Sequence, residues 1–418
     1  PGVPAELPGL LRAAAVDQPL ALVGGAVRDW LLHRVHNDPW RGLVDLDLVV
    51  EGSAAAFVER LQAELAARAA AGDPVRLIAA QEHGAYGTVE LELNLGGQAV
   101  LLDVATARRE TYPKLGENPV VCFGSLVQDL ARRDFSINAM ALPMTPGAGD
   151  QAMLDPHGGQ ADLEHRQLRL LHAGSVADDP TRLVRAARYA ARLGFGLAPA
   201  SLEQAESTLG SWPWAWRAGD PPGQAPSALG TRLRMELELL LEREPWPQAL
   251  ALLQQWGGLL LLDAALQRES VQARNRRLHW AQRLGLPLLT VLVAAAADPL
   301  ALAERLQLPH RQHKLLAQWL ELRRRWCHGE IARHLVNASA WTVWLETPGL
   351  SSDAIALEIA CGAELPRRPL LRWWLRWRHL KAPQSAADLI AAEGLRPGPA
   401  LGARLRQLRD ARLAGERC

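Results

Sequence analysis

Residues 20–52 read LALVGGAVRDWLLHRVHNDPWRGLVDLDLVVEG. An apolar run, Leu20 to Val23, ends in Gly24 and Gly25, and an amphipathic segment from Ala26 to Leu32 follows. This predicts a strand, a tight turn and a helix start. Glycines let the backbone come close to a ligand, and the free N–H groups of a helix N-terminus attract phosphate. Arg28, one turn into that helix, is placed to reach the same anion. A second apolar run then carries Asp45 and Asp47. A spacing of two puts both carboxylates on one face of a strand. Paired carboxylates beside a triphosphate cradle predict a Mg²⁺ site.

Each half is ordinary alone. A strand–Gly-Gly–helix turn is common turn chemistry, and a lone D-x-D is common on a solvated strand face. Their order and closeness within one stretch are far more specific. The stretch resembles the head signature of the DNA polymerase β-like nucleotidyltransferases. Within that group it is similar to the class II tRNA nucleotidyltransferase and bacterial poly(A) polymerase family.

The 418 residues are 49% apolar and 22% charged, the composition of a globular protein with room for two or three domains. Three of the 46 basic residues are lysines (Lys114, Lys314, Lys381), and the rest are arginines, whose planar fork suits phosphate. The net charge of +1 is uneven: residues 264–334 and 364–417 each carry twelve basic side chains against five acidic ones, whereas the first 263 residues sum to −10. An acidic N-terminal part suits metal chemistry and a basic C-terminal part suits a nucleic-acid backbone; solvated helix faces would give the same count. Cys122, Cys327, Cys361 and Cys418 lack paired metal spacing and read as reduced thiols. No signal peptide is visible, and the apolar run near Leu284 to Ala297 is short and holds Pro287. A cytoplasmic protein is expected, with no membrane association and no obligate protein partner.

Helices are predicted over Pro8 to Ala15 and Ala54 to Ala71. Strands are predicted over Val75 to Ala79, Gly87 to Leu95 and Ala99 to Ala105, with Gly96-Gly97 as a hairpin turn. Asp103, in LLDVATARRE, either supplies a third carboxylate from a neighbouring strand or merely ends that strand beside Arg108. The segment after Glu110, TYPKLGENPVVCFG, has the composition of a mobile surface loop.

Three further motifs extend the resemblance. LARRDFSINAMAL (130–142), which reads as a helix start capped by Asp134, resembles the family's RRDFT-INAMA, with Ser136 for threonine. The resemblance implies that Arg133 and Asp134 contact the nucleotide's ribose or phosphates, with Asn138 near by. Asp155, Gly158, Gly159, Asp162 and Leu163 match a motif joining head to neck, and read as hinge and packing residues. DDPTRLVRAARYAARLGFG (178–196) predicts a helix capped by Asp178 or Asp179, with Arg182, Arg185 and Arg188 recurring every three residues. It resembles E-D-x-x-R, with Asp178 in the glutamate's place. The resemblance implies that Asp179 and Arg182 read the base, and it places Arg185 and Arg188 with the nucleotide-binding residues. An arginine donates to cytosine O2 and N3, and a carboxylate accepts from an exocyclic amine.

SWPWAWRAGDPPGQAPSA (211–228) reads as a packed loop rather than a stacking platform. Arg232 and Glu236, one helical turn apart, suit an i,i+4 pair. LLRWWLRWRHLK (370–381) interleaves Trp with Arg, and a tryptophan stripe at helical spacing is more often core than RNA surface. In the last helix Arg404, Arg406, Arg409 and Arg412 suit an RNA backbone.

The expected fold is therefore an α/β head (polymerase β-like nucleotidyltransferase fold) followed by an all-α neck, body and tail. The expected boundaries are 1–145, 146–262 and 263–418. The resemblance implies transfer of CMP and AMP from CTP and ATP to the 3′ end of tRNA, gripped by its acceptor end and T arm. Asp45 and Asp47 would bind two Mg²⁺ ions, with Asp103 as a further catalytic carboxylate. Gly24, Gly25 and Arg28 would cradle the triphosphate. Full CCA addition is the first expectation; A addition alone and poly(A) synthesis share the motifs. The family's CC-adding members have the segment between Glu110 and Ser125 shortened, and here it is full length. A catalytically inactive RNA-binding module is the non-enzymatic alternative, and the intact Asp45/Asp47 pair speaks against it. The histidines form no H…HD…D series, so no phosphohydrolase activity is expected.

Overall fold

The computed structural model describes residues 3–16, 18–42, 45–83, 87–144, 153–327, 334–362 and 364–416. They fall into two compact units. One comprises Pro1–Ala215, Pro226–Glu236 and Arg243–Gly258; the other comprises Trp216–Ala225, Leu237–Glu242 and Leu259–Cys418.

The first unit begins with helix α1 (Leu7–Ala15), strand β1 (Leu20–Val23), α2 (Gly25–Arg34), β2 (Leu46–Val50) and α3 (Ala54–Ala70). Strands β3 (Val75–His83), β4 (Thr88–Leu95) and β5 (Gln98–Thr106) follow. With β8 (Ala141–Pro143) they form a six-stranded sheet in the order β3-β4-β5-β2-β1-β8. The β2–β5 pair is parallel and the other neighbours are antiparallel. Gly96 and Gly97, with φ of 61° and 88°, make the expected β4–β5 turn, which needs two left-handed residues. Helices α1 and α3 seal one face of the sheet: Leu10, Leu11, Phe57 and Leu61 pack with Leu48, Leu93 and Leu102. Strand alternation then turns Asp47 to the opposite face. An α/β head followed by a mostly helical remainder is the architecture expected from the sequence.

Two segments differ from expectation. The supposed mobile loop is a β-hairpin, β6 (Arg108–Thr111) against β7 (Val120–Phe123), with Arg108 opposite Phe123. Its tip is held by the Gly116 N–H donating to the Asp178 carbonyl at 3.0 Å and by the Ala228 N–H donating to the Gly116 carbonyl at 2.9 Å. The 130–142 motif is not a helix start. Helix α4 (Leu126–Ala131) stops there, and a 3₁₀ turn over Ser136–Asn138 leads into β8. Tertiary partners override local propensity: Asp134 turns to two arginines instead of capping, and the Ser136 hydroxyl donates to Asp162.

The rest of the first unit is mostly helical. Asp155 caps α5 (Gly159–Glu164) through the N–H groups of Gly159 and Gln160. Short β9 (Gln167–Leu168) and β10 (Gly196–Leu197) pair in parallel. Between them lie α6 (Ser175–Asp178) and α7 (Thr181–Leu193). Helices α8 (Pro199–Ser211), α9 (Thr231–Arg243) and α10 (Trp246–Gln255) follow. The expected Arg232–Glu236 pair does not form: Arg232 turns to Asp179, while Glu236 takes Arg185 and Arg188.

The second unit is helical. Trp341, Trp373 and Trp377 share its core with Leu322, Ile355, Ile359 and Leu413. The Trp/Arg stretch is therefore largely core, and Trp214 and Trp216 are likewise buried in their own units. Among the described residues no helix is long and apolar enough to cross a membrane. Cys122, Cys327 and Cys361 are free thiols; Cys418 lies outside the described residues.

Candidate active site

Most of the chemistry-bearing residues of the first unit converge on one cavity of about 460 Å³. Its floor follows from strand register. Parallel pairing of β2 with β5 sets Asp47 directly beside Asp103, and antiparallel pairing of β1 with β2 sets Val23 beside Asp47. Gly24, the next residue, therefore lies against Asp47. Its φ is +72°, and a Cβ there would stand 2.6 Å from the Asp47 Oδ2 atom. Glycine is required at this position on both counts.

Asp45 stands exposed just ahead of β2 and does not line the cavity, but its charge reaches both neighbours. Burial, with Asp45 and Asp103 adding to it against the pull of Arg133, pushes the Asp47 carboxyl up to about 6. Asp103 is raised by burial and by Asp45 and Glu90, the residue opposite it on β4. Carboxylates that hold one another above their ordinary range mark a place that favours a cation.

The rest of the lining is a lattice of arginines and carboxylates. Asp134 is clasped by Arg182 at 3.2 Å and by Arg185 at 2.5 Å. Burial would raise its pKa, but the two guanidinium groups outweigh that and hold it below the usual carboxylate range. Glu110 accepts from Arg108, Arg132 and the Tyr112 hydroxyl. Arg133 is anchored to Asp129 at 3.1 Å and leans on Gly24.

Asp179 and Arg182 have few free valences. Asp179 Oδ1 accepts from the Thr181 N–H and hydroxyl, and Oδ2 takes Arg232. Arg182 is 2% exposed and donates to Asp134, to His172 Nε2 and to the carbonyls of Ser175 and Arg132. Of its five N–H groups, one on Nη2 is left over. The pair thus offers the cavity one spare donor and one spare acceptor.

Several residues named from sequence stand elsewhere. Gly25, Arg133, Asp134, Asn138, Asp179, Arg182 and Arg185 line the cavity with Gly24, Asp47 and Asp103. Arg28 does not line it. It is 3% exposed, bonded to Asp29 and to the Asn138 side chain, and it steadies Asn138 from behind. Arg188 also lies behind the lining, tied to Glu236 and Glu244. The i, i+3 periodicity of the arginines did not separate lining from bracing positions. Arg108, Tyr112, Arg132, Tyr189 and Arg232 line the cavity without having been assigned to it. Arg108 and Tyr112 come in with the 108–123 hairpin, Arg232 with α9 and Tyr189 with α7, while Arg132 stands next to Arg133 in the 130–142 motif, where the sequence could have shown it.

In the second unit, three of the four tail arginines are engaged within the chain. Arg404 pairs with Glu393, Arg409 pairs with Glu346, and Arg412 donates to the Lys381 carbonyl. Arg406 is exposed, beside Arg409 on a groove that also holds Arg378 and Lys381.

Residues 20–169 match the model of the poly A polymerase head domain family. A CC-adding tRNA nucleotidyltransferase of Deinococcus radiodurans is 39% identical over 322 residues, 76% of this chain and 74% of that protein. A multifunctional CCA protein of Nitrosococcus oceani is 32% identical over 66% of this chain and 57% of its own length. Among solved structures, a CCA-adding enzyme in an apo form superposes with a TM-score of 0.70 at 24% identity, covering 100% of this chain and 94% of that one.

Proposed function

Given that the chain belongs to the tRNA nucleotidyltransferase and poly(A) polymerase family, we propose that it adds nucleotides from CTP and ATP to the 3′ end of tRNA, releasing pyrophosphate without a nucleic-acid template. The observation that carries this reading is the cavity itself: an acidic floor at Asp47 and Asp103 continuous with a wall of arginines.

Mg²⁺ suits the floor. The ion commonly takes one or two carboxylates and completes its shell with water and substrate phosphates. Asp47 and Asp103, side by side with Asp45 near by, offer that donor set, and among the described residues no cage of three or more ligands closes without a substrate. Asp47, with Asp45 and Asp103, would hold the metal. When bound, it would lower the barrier by neutralising charge on the reacting oxygens. The chain does the rest. The Gly24–Gly25 turn lets the triphosphate approach the backbone at the start of α2. Arg133 lies over that turn as its cation. Asp134 keeps Arg182 and Arg185 extended along the wall.

The spare donor of Arg182 and spare acceptor of Asp179 suit the edges of cytosine and adenine. Each offers an amine donor beside a ring-nitrogen acceptor; uracil and guanine present the reverse. Two side chains thereby do the work of a template. The exposed Arg406 groove supports contact with the tRNA backbone. A tRNA substrate fits a cytoplasmic setting.

Full CCA addition remains the first reading. CC addition alone is the second, and the 39% identity to a CC-adding enzyme over three quarters of the chain favours it, against the full-length hairpin segment. The test uses tRNA transcripts ending at the discriminator base, at C and at CC, each with Mg²⁺ and with CTP, ATP or both. The first transcript should grow to CCA and stop. Arrest at CC makes it a CC-adding enzyme, and a single A added only to the CC-ended transcript makes it an A-adding one. Long A tracts indicate poly(A) synthesis. No incorporation anywhere leaves an RNA-binding module.

A further inference from the structure

His172 is not in the cavity and matched no motif, yet it touches the side chain on which base selection rests. The Arg182 Nη1 atom lies 3.2 Å from His172 Nε2. Arginine has no acceptor, so this nitrogen must be the unprotonated one, and the ring proton sits on Nδ1. Nδ1 faces Asp178 at 3.9 Å, too far for a hydrogen bond. The main chain of His172 is held: the Gln204 amide donates to the His172 carbonyl at 2.9 Å, and the His172 N–H donates to the Ser175 hydroxyl. The same Arg182 nitrogen also donates to the Ser175 carbonyl.

We propose that His172, in its neutral Nε2-acceptor form, is the positioning residue that aims the spare Arg182 N–H at the incoming base, so that protonation of His172 loosens nucleotide selection. This rests on the reading of Arg182 as a base-reading residue. Proton addition at Nε2 replaces an acceptor with a donor and sets two cations against each other. The guanidinium, still tied to Asp134 and to the Ser175 and Arg132 carbonyls, then shifts about those bonds away from the imidazolium, and its leftover donor shifts with it. The charged groups facing the imidazole are Arg182, which opposes protonation, and Asp178, which favours it. Burial and Arg182 outweigh Asp178 and keep the histidine below its usual range. The ring is 40% exposed, so solvent protons reach it.

The measured quantity is the ratio of kcat/KM for CTP to that for UTP, on a tRNA transcript lacking its terminal nucleotides, between pH 5.5 and 8. Ionisations of the metal site and of the 3′-OH act on both nucleotides alike and cancel in the ratio. The wild-type ratio should be flat above pH 7 and fall toward pH 5.5, by at most about tenfold because the histidine is held below its usual range. His172→Gln, whose amide oxygen still accepts from Arg182, should keep a high ratio that no longer depends on pH. His172→Phe should give a low ratio at every pH. A His172→Phe ratio equal to wild type at pH 7.5, or a His172→Gln ratio that still falls in acid, overturns the proposal. If His172→Phe does not fold, the wild-type and Gln profiles decide alone. Wild type that incorporates neither nucleotide removes the underlying catalytic reading and this proposal with it. An active enzyme with an unaltered ratio removes only the role of His172.

Discussion

Replacing Asp47 with asparagine should make the metal-free protein more stable at neutral pH while abolishing catalysis. The carboxyl is pushed from 3.8 to about 6, chiefly by burial and then by Asp45 and Asp103 against Arg133. A folded-state pKa above the unfolded one means that stability is fully present below about 4 and is lost as pH rises toward 6. Two units correspond to about 3 kcal/mol at most, and about 1–3 kcal/mol after allowing for partial exposure. At pH 8 in EDTA, Asp47→Asn should therefore melt several degrees higher, since about 1 kcal/mol moves the melting temperature of a domain this size by about 2–4 °C. By pH 4.5 the gain should shrink to about a third, because the wild-type carboxyl is then mostly protonated in the fold. Mg²⁺ should reverse the order at pH 8 by stabilising wild type in proportion to its occupancy, and the variant less. Thermal melts at two pH values, with and without Mg²⁺, decide it. A variant that is less stable at pH 8 without metal, or a gain that grows toward acid, would refute the view of the floor as a strained carboxylate pair awaiting a cation.

Other outcomes follow from single contacts. Gly24→Ala should lose nearly all nucleotide addition, because the new methyl meets Asp47 Oδ2 at 2.6 Å on a left-handed backbone; single-turnover assays with saturating CTP would show it. Asp134→Asn should destabilise the first unit by about 1–3 kcal/mol, since Arg182 loses its carboxylate partner while the partly exposed Arg185 keeps Glu236; denaturant unfolding reads this. The wild-type Asp134 contribution, present above its unfolded pKa, should vanish only as pH falls below 3.8. Arg406→Ala should weaken tRNA binding and reduce the salt slope by about one, whereas Arg404→Ala should change the slope little; filter binding across salt concentrations separates them.

The head was legible because its signals are local. Leu20–Val23, Gly24 and Asp47 fix a strand, a turn and a face, whereas Asp45, expected on that face, stands ahead of β2 and outside the cavity lining; the sheet register then brought in Asp103, whose role the sequence left open. What stayed hidden depended on contacts distant along the chain. Arg28 reads as a phosphate ligand from its place one turn into α2, but Asn138, 110 residues on, draws it behind the site. The 110–125 segment looks like a loop because its ladder is short; what orders it is a tip held by Asp178 and Ala228, far along the chain. Asp134 reads as a cap because nothing nearby announces Arg182 and Arg185. Tail arginines look free until Glu346 and Glu393 come back to meet them.

The leftover valences at Asp179 and Arg182 lead to one more test, at Arg232. Thr181 fills Asp179 Oδ1 twice, so Arg232 at Oδ2 decides how many acceptor positions the carboxylate still offers. With Arg232 present, one position remains, beside the one remaining donor of Arg182. Arg232→Ala frees a second position on Oδ2 and removes the group that fixes the carboxylate plane. Asp179 can then rotate to accept from the ring N–H of uracil or guanine as well as from an amine. The prediction is a loss of selectivity rather than of rate. The CTP-to-UTP ratio of kcat/KM should fall about tenfold, the size of one charge-assisted hydrogen bond. Arg232→Lys, which keeps the charge but not the fork, should fall between. Competition assays on one tRNA transcript measure both variants. If Arg232→Ala leaves the ratio intact while lowering addition of every nucleotide equally, Arg232 serves the architecture of α9 and not the shape of the base-reading edge.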